Sequence, residues 1–599
     1  MYILLSLVII FQLANITNII VNKKKGFHSD EVFSYGLANS FYEPYLDTNG
    51  VRSLAGEGHE HNFNNWISGD VIREYVTVQR GEQFRYDSVW YNQSMDRHPP
   101  LYYAVLHTMC SFFPDTFSFL FGYIINFVCF AVMQIFLYRL SRNILKSKYL
   151  ALMVCIFWGF SSAAADIVIF IRMYCMLAMW GVIFLYLHSK LLETDGKPLL
   201  KQLVPLIIVT LCGALTQYLF LFLAFVTAVM FCIRYLCKKK IKVFFAYGFS
   251  LLGSVMTAQL IYPAYLPNMF AETSPTKTPF LKQFRLCIRY LLDALFPVTK
   301  SGLIFWIPTI SSIAVVLILA SVPVMYLFRD KAFVKAFLKK IKSLPENIRN
   351  IKPNNILLKI WGRVKRINFI SWVILISIIS VMAVTSYTVV FSQMFYVDRY
   401  LFILYPVTAL LISGAVYFVI SWSKHKKQVC AVLIIIMTML RLSLFSVNYT
   451  FESSKRMENI SELTKDAECI FTASSYSEIW MMNCLPADMY YADKFFVTYL
   501  GGQEEYKEQL ENIHTDKPIY LFLNVPAYSY FDEENGNKPL YYIEHYDIKT
   551  KKIDTEKVLV KDFKERYTAL YRNLSITKNF EYIGEHEIHS RRYLVYRLA

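Results

Sequence analysis

The amino-acid sequence predicts a polytopic α-helical membrane protein with a small α/β domain at its C-terminal end. Three observations carry this. Hydrophobic residues fill 55% of the 599 positions and charged residues only 18%, against about 25% charged in an ordinary soluble domain. Eleven apolar runs follow one another, most of them close to the ~20 residues that cross a hydrocarbon core. The charge is divided: from Tyr449 to the end 19 Lys/Arg stand against 25 Asp/Glu, a balance of −6, while the first 448 residues carry +23. An excess of Lys/Arg in a membrane domain reads as inner-loop bias. No basic–aromatic nucleic-acid module is present, so no nucleic-acid partner is expected. Aromatic residues reach 17%, with 47 Phe and 43 Tyr, as suits membrane interfaces.

The first run, residues 3–20, has no basic stretch before it and no small-residue cleavage site after it. It reads as a retained anchor. Residues 21–116 form a long polar loop. Within it, 101–113 is apolar but too short to cross, and is expected to lie at the interface. Further runs fall at 117–138, 149–167, 169–187, 202–215, 217–236, 243–265, 303–328, 369–391, 400–421 and 429–447. A second long loop, 266–302, separates the seventh run from the eighth.

Loop charges fix the expected orientation. With the N-terminus inside, the inner loops hold Arg139, Arg142, Lys146 and Lys148; Lys190, Lys197 and Lys201; Arg234, Lys238, Lys239, Lys240 and Lys242; the basic loop 329–368, with 12 Lys/Arg against Asp330 and Glu346; and Lys424, Lys426 and Lys427. Five loops agree with the positive-inside rule. Lys23, Lys24 and Lys25 depart from it. Loops 21–116 and 266–302 and the segment from 449 are then outside. The expected division is a membrane domain, 1–448, and a soluble extracytoplasmic domain, 449–599.

The tail alternates short apolar runs (469–473, 495–500, 519–524, 593–598) with helix-like pieces such as 504–513, an α/β order. Of the 11 Cys, eight lie in apolar stretches, Cys287 in an outer loop, and Cys469 and Cys484 in the tail. Those two either form a disulfide or are small buried thiols. No CxxC pair occurs.

Chemistry-bearing residues gather at the expected outer boundary. His28-Ser29-Asp30-Glu31 opens a helix-like run; its acids either cap the helix or supply a general base or metal ligand. Arg97 and His98 precede Pro99 and Pro100, which start the short helix containing Tyr102. Arg172 and Tyr174 sit near the outer end of a span, where a charge is costly and usually partnered. Asp398 and Arg399 lie between two late spans; Arg399 pairs the acid or meets a phosphate. His59 and His61 alternate on one face of an extended segment and are weak metal candidates.

An early span, an Asp-Glu pair in a long first outer loop, His98-Pro99-Pro100-Leu101-Tyr102-Tyr103 and Arg172-Met173-Tyr174 together resemble the GT-C glycosyltransferases. The nearer likeness is to the family-39 branch, the protein O-mannosyltransferases and aminoarabinose transferases. Leu215-Thr216-Gln217-Tyr218 and Arg399-Tyr400-Leu401 are similar to that branch as well. The resemblance covers about residues 1–420. It implies a GT-C-like fold, a polyprenyl-phosphate sugar as donor, and an extracytoplasmic acceptor of the cell envelope (glycan, lipid or protein). It implies Asp30 as catalytic carboxylate with Glu31 beside it, and inversion at the anomeric carbon. Arg172, Arg399 and Tyr174 would hold the donor phosphate; Arg97, His98, His28 and Tyr102 would line the cavity; some relatives hold a divalent metal near the acid. The tail does not resemble the MIR domains of the eukaryotic branch, which points by analogy to a bacterial plasma membrane. Two other readings stand beside it. A transporter of lipid-linked sugars would need polar groups at mid-membrane, for which Asp166 is the main candidate. A non-enzymatic assembly or anchoring protein would use the acidic tail.

Overall fold

The computed structural model describes residues 1–46, 65–96, 98–193, 200–270, 279–295, 368–392, 398–420, 425–442, 446–451 and 455–598, less 512, 514, 527, 530–538, 548–551 and 590. The apolar run at 303–328, the basic loop up to 367, and the candidate residues His59, His61 and Arg97 lie outside the described residues.

Apolar α1 (Tyr2–Asn22) opens the chain. Four short helices follow: α2 (Ser29–Asn39), α3 (Gly69–Val76), α4 (Tyr86–Asp96) and α5 (Leu101–Ser111). Then come α6 (Phe119–Leu145), α7 (Lys148–Gly159), α8 (Ser162–Ile169), α9 (Tyr174–Glu193), α10 (Leu200–Thr216), α11 (Leu219–Cys237) and α12 (Ile241–Ile261). Six helices of the described residues are long and apolar enough to cross a membrane: α1, α6, α9, α11, α12 and the one at Phe369–Thr388. At 1.5 Å per residue their 19 to 27 residues match a hydrocarbon core. The pair α7 and α8 is together long and apolar enough for a seventh span but bent, as in a broken span or a re-entrant loop, and Lys201–Thr216, Tyr405–Phe418 and Lys427–Met439 are shorter apolar helices. The short piece at 101–113 is an 11-residue helix, α5.

The chain divides into two compact units. The first comprises Met1–Gln12, Val128–Ile167 and Tyr174–Val447. Its run at 149–167, expected to be one continuous helix, is bent by 63° between α7 and α8. The break follows Gly159, where a Cβ would meet the Gln12 and Gln134 amides at 2.2 to 2.3 Å. Those amides are buried and joined: Gln134 Nε2 donates to Gln12 Oε1 at 2.8 Å, and Gln12 Nε2 donates to Cys155 O at 3.0 Å. Glycine followed by serines is a recognised cause of kinks.

The second unit comprises Leu13–Phe127, Val168–Met173 and Asn448–Ala599. Among the described residues the strands are β1 (Trp66–Ser68), β2 (Glu468–Ala473), β3 (Lys494–Tyr499), β4 (Ile519–Val525), β5 (Tyr528–Ser529), β6 (Leu540–Asp547), β7 (Lys552–Leu559), β8 (Glu581–Ile588) and β9 (Arg591–Arg597). A six-stranded sheet runs β1-β3-β2-β4-β9-β8, and β5-β6-β7 form a second sheet. Strands β3, β2 and β4 are parallel, with Cys469 opposite Phe495 and Tyr520. Parallel strands covered on both faces read as unbroken apolar runs, which is why 469–473, 495–500 and 519–524 were visible in the sequence. Ile470, Phe496, Leu521, Phe563, Tyr571 and Leu594 fill the core. Edge strand β1 comes from the first loop and pairs antiparallel with β3, so that loop and the tail build one sheet. Cys469 and Cys484 are both free and buried, so no disulfide joins them; their apolar surroundings push both thiols well above the usual range.

Candidate functional site

The second unit assembles a polar centre on the first turn of α2. His28 is the N-cap in extended conformation, and its Nδ1 accepts the Asp30 N–H at 3.1 Å. The Glu31 carboxylate returns to the His28 N–H at 2.8 Å, closing a capping box. A second histidine joins from the β8–β9 turn. His589 Nδ1 accepts the Ser29 N–H at 3.1 Å, and its ring lies 4.3 Å from that of His28. His589 has a left-handed backbone, φ +46°. Two orphan donors of the helix are thus met by imidazole nitrogens that must carry no proton.

The two adjacent acids differ in environment. Glu31 is wholly buried, and Lys24 Nζ lies 2.8 and 3.0 Å from its two oxygens. Glu31 Oε1 also accepts the Ile171 N–H at 3.1 Å. Burial raises this carboxyl above its ordinary value, against the lowering pull of Lys24. The Asp30 side chain is 24% exposed, with Oδ2 3.8 Å from His28 Nδ1. Asp30 is therefore the acid that an outside molecule can reach, and Glu31 is committed to internal partners.

Arg172 stands on the irregular link between α8 and α9. Asn126 Nδ2 donates to Val168 O and Phe170 O at 2.9 and 3.0 Å, and Lys24 Nζ donates to Ile169 O at 3.1 Å. The last carbonyls of α8 are thus satisfied where the helix stops. Arg172 is 4% exposed. Its Nη1 lies 3.3 Å from Ser34 Oγ, and that hydroxyl donates to Asp30 O at 2.7 Å. The guanidinium sits 5.9 Å from the Tyr103 ring and 6.0 Å from the Phe33 ring.

Helices α4 and α5 pack on α2. His98 Nδ1 is 2.6 Å from Asp96 Oδ2 at the end of α4. Tyr102 is buried, its ring edge-on to Tyr103 at 5.7 Å. So Asp30, Glu31, His28, Arg172, His98 and Tyr102 all belong to the second unit. Tyr174 and Arg399 belong to the first, where the Tyr174 ring meets Phe402 edge-on at 5.8 Å, just beyond the 3-10 turn Asp398–Leu401.

No protein-family model and no curated protein matches the chain. Among solved structures the chain is similar to the oligosaccharyltransferase of Archaeoglobus fulgidus in its apo form. The TM-score is 0.42 and the identity 10%, over 87% of this chain and 69% of that one. The archaeal oligosaccharyltransferase AglB from Archaeoglobus fulgidus, in complex with an inhibitory peptide and a dolichol-phosphate, aligns with a TM-score of 0.39 and 11% identity, over 86% and 69%. Both likenesses are distant.

Three members of the centre were missed from sequence: Lys24, Ser34 and His589. Lys24 left a trace, since a lysine on the unfavoured side of the first span calls for a carboxylate nearby. Ser34 and His589 left none.

Proposed function

We propose that the chain is an integral-membrane glycosyltransferase of GT-C type. It moves a sugar from a polyprenyl-phosphate donor to an extracytoplasmic hydroxyl acceptor, with Asp30 as its working carboxylate. The observation that carries the reading is the contrast between partly exposed Asp30 and saturated Glu31 on one helix turn, whose Asp30 carbonyl is one hydroxyl away from a buried guanidinium. The motif resemblance of the first loop supplies the donor class.

In this scheme the acceptor oxygen loses its proton to the Asp30 carboxylate as it attacks the anomeric carbon. The bond from that carbon to the phosphate oxygen breaks, and the polyprenyl phosphate leaves with the electron pair. Arg172 is the group we assign to the charge that develops on the phosphate, for which a planar guanidinium is suited. A single displacement inverts the anomeric centre. Glu31 and Lys24 hold α2 and the 169–172 link in register. His28 Nδ1 is engaged as a helix cap, and among the described residues no three His, Cys, Asp or Glu side chains converge as a metal site. No step is assigned to a metal.

The test is transfer in membranes containing the protein, supplied with radiolabelled polyprenyl-phosphate sugars. Label passing from the lipid fraction to a polar or protein-bound product of inverted configuration supports the proposal. Label that stays in lipid for every donor, or a product of retained configuration, contradicts it.

A further inference from the structure

The first unit contains a basic basin lined by none of the residues assigned to the candidate catalytic centre. It has a volume of about 670 Å³ and lies where α6, α7 and α9 end or begin. Arg139, Arg142, Lys146, Lys148 and Lys190 line it, and among its described lining residues Glu193 is the only carboxylate. Glu193 is 2.8 Å from Lys190, which leaves a strong positive balance in one concavity. An adjoining hollow of about 410 Å³ shares Asn143, Lys146 and Glu193 and adds Arg234.

Local structure builds this basin. Lys146 closes α6 in a left-handed conformation, φ +51°, with its N–H donating to Arg142 O at 3.0 Å. Ser147 then caps α7, accepting the Leu150 N–H at 3.4 Å. The tight turn brings the basic last turn of α6 against the N-terminal end of α7, where the helix dipole adds to the attraction for an anion. Loop-charge bias alone accounts for basic residues at this end of the spans. It does not account for a hollow that five of them share.

The surroundings indicate the anion's source. Tyr2 lines the basin and begins α1, whose Ile3, Leu7 and Ile10 are 78%, 45% and 59% exposed. Tyr149, beside Lys148, is 61% exposed. An apolar wall and interfacial tyrosines beside a cationic hollow suit a headgroup above and acyl chains alongside.

We propose that this basin binds the phosphate of an anionic lipid headgroup. The site is independent of the transferase reading and stands or falls without it. The chemistry is that of a phosphate ester, and the committed source is lipid rather than a soluble phosphate.

The experiment uses the full chain in detergent, with bound lipid counted by native mass spectrometry after exposure to phosphatidylglycerol or phosphatidylcholine vesicles. One variant, Arg142→Gln/Lys146→Gln/Lys148→Gln, neutralises the basin. A control, Lys201→Gln/Lys239→Gln/Lys242→Gln, removes the same charge from other basic segments. The expected result is phosphatidylglycerol retained by wild type and control, and retention lower by at least about tenfold in the basin variant. Equal loss in both variants, or no preference over phosphatidylcholine, overturns the site. Inorganic pyrophosphate is the soluble arm. Binding of pyrophosphate that the basin variant abolishes, with no retention of phosphatidylglycerol, overturns the lipid source.

Discussion

Lys24 Nζ lies 2.8 Å from Glu31 Oε1, and the two side chains are 1% and 0% exposed. Lys24 also donates to Ile169 O and Tyr449 O at 3.1 and 3.3 Å, and Glu31 accepts from His28 N and Ile171 N. One ion pair therefore ties the helix of Asp30 to the link of Arg172 and to the segment before β2. Removing one partner leaves a buried charge, at a cost of about 3–5 kcal/mol, whereas replacing both by apolar residues is often tolerated. Lys24→Met and Glu31→Leu should each lower the melting temperature of the purified protein sharply. The double variant should regain most of the loss. If each single variant melts like wild type, the pair contributes nothing.

Gly36 holds α2 against α3. A Cβ there would come within 2.0 Å of the Tyr75 ring, whose hydroxyl donates to Pro44 O at 3.0 Å. Gly36→Ala should destabilise by about 1–3 kcal/mol through overpacking. Adding Tyr75→Leu should return part of that, as read by thermal melting. A lone Gly36→Ala variant of unchanged stability would mean that the ring moves aside freely.

Acid should loosen the sheet of the second unit through His586. This residue is fully buried, its Nδ1 accepts the Met457 N–H at 3.2 Å, and its Nε2 faces Asp488 Oδ2 at 3.2 Å. Burial, then the charge of Arg456, lowers its pKa from 6.5 to about 3. The folded state thus resists a proton that the unfolded chain accepts. The stability contribution is complete above pH 6.5 and is lost as pH falls toward about 3, amounting to about 2 kcal/mol by pH 5. Denaturant unfolding at pH 7.5 and 5 should show that slope, and His586→Gln should flatten it. An equal slope in the variant would assign the acid sensitivity elsewhere.

Ser34 and Arg172 separate positioning from chemistry. In the proposed scheme Arg172→Gln lowers transfer by at least about 100-fold, since a charge-assisted contact to the leaving phosphate is lost. Ser34→Ala loses the hydroxyl that accepts from Arg172 Nη1 and donates to Asp30 O but leaves the guanidinium in place, and should cost only about tenfold. Steady-state transfer rates over a range of donor concentration compare the two. Comparable losses would reduce Arg172 to a structural role.

The helices were legible because apolar runs near 20 residues have few alternatives, and the parallel strands because burial on both faces leaves unbroken runs such as Phe495-Phe496-Val497. The break after Gly159 was hidden because the glycine and the serines that follow it sit within a continuous apolar run. Strand β1 has only three residues, Trp66–Ser68, too few to show a period. At the candidate site, Asp30 and Arg172 stood out as charges near apolar segments. The unequal roles of Asp30 and Glu31 could not be read, because adjacent carboxylates look alike until burial distinguishes them. His589 is 560 residues from Ser29, and nothing local marks it.

The most direct measurement is sugar transfer by Asp30→Asn beside wild type, with both shown to be folded by equal melting temperature. Asparagine keeps the size of the side chain and leaves the His28 cap and the Lys24–Glu31 pair untouched. The expected result is a loss of about 100- to 10,000-fold in transfer with stability unchanged. Transfer by Asp30→Asn at the wild-type rate would contradict the assignment of Asp30 as the working carboxylate.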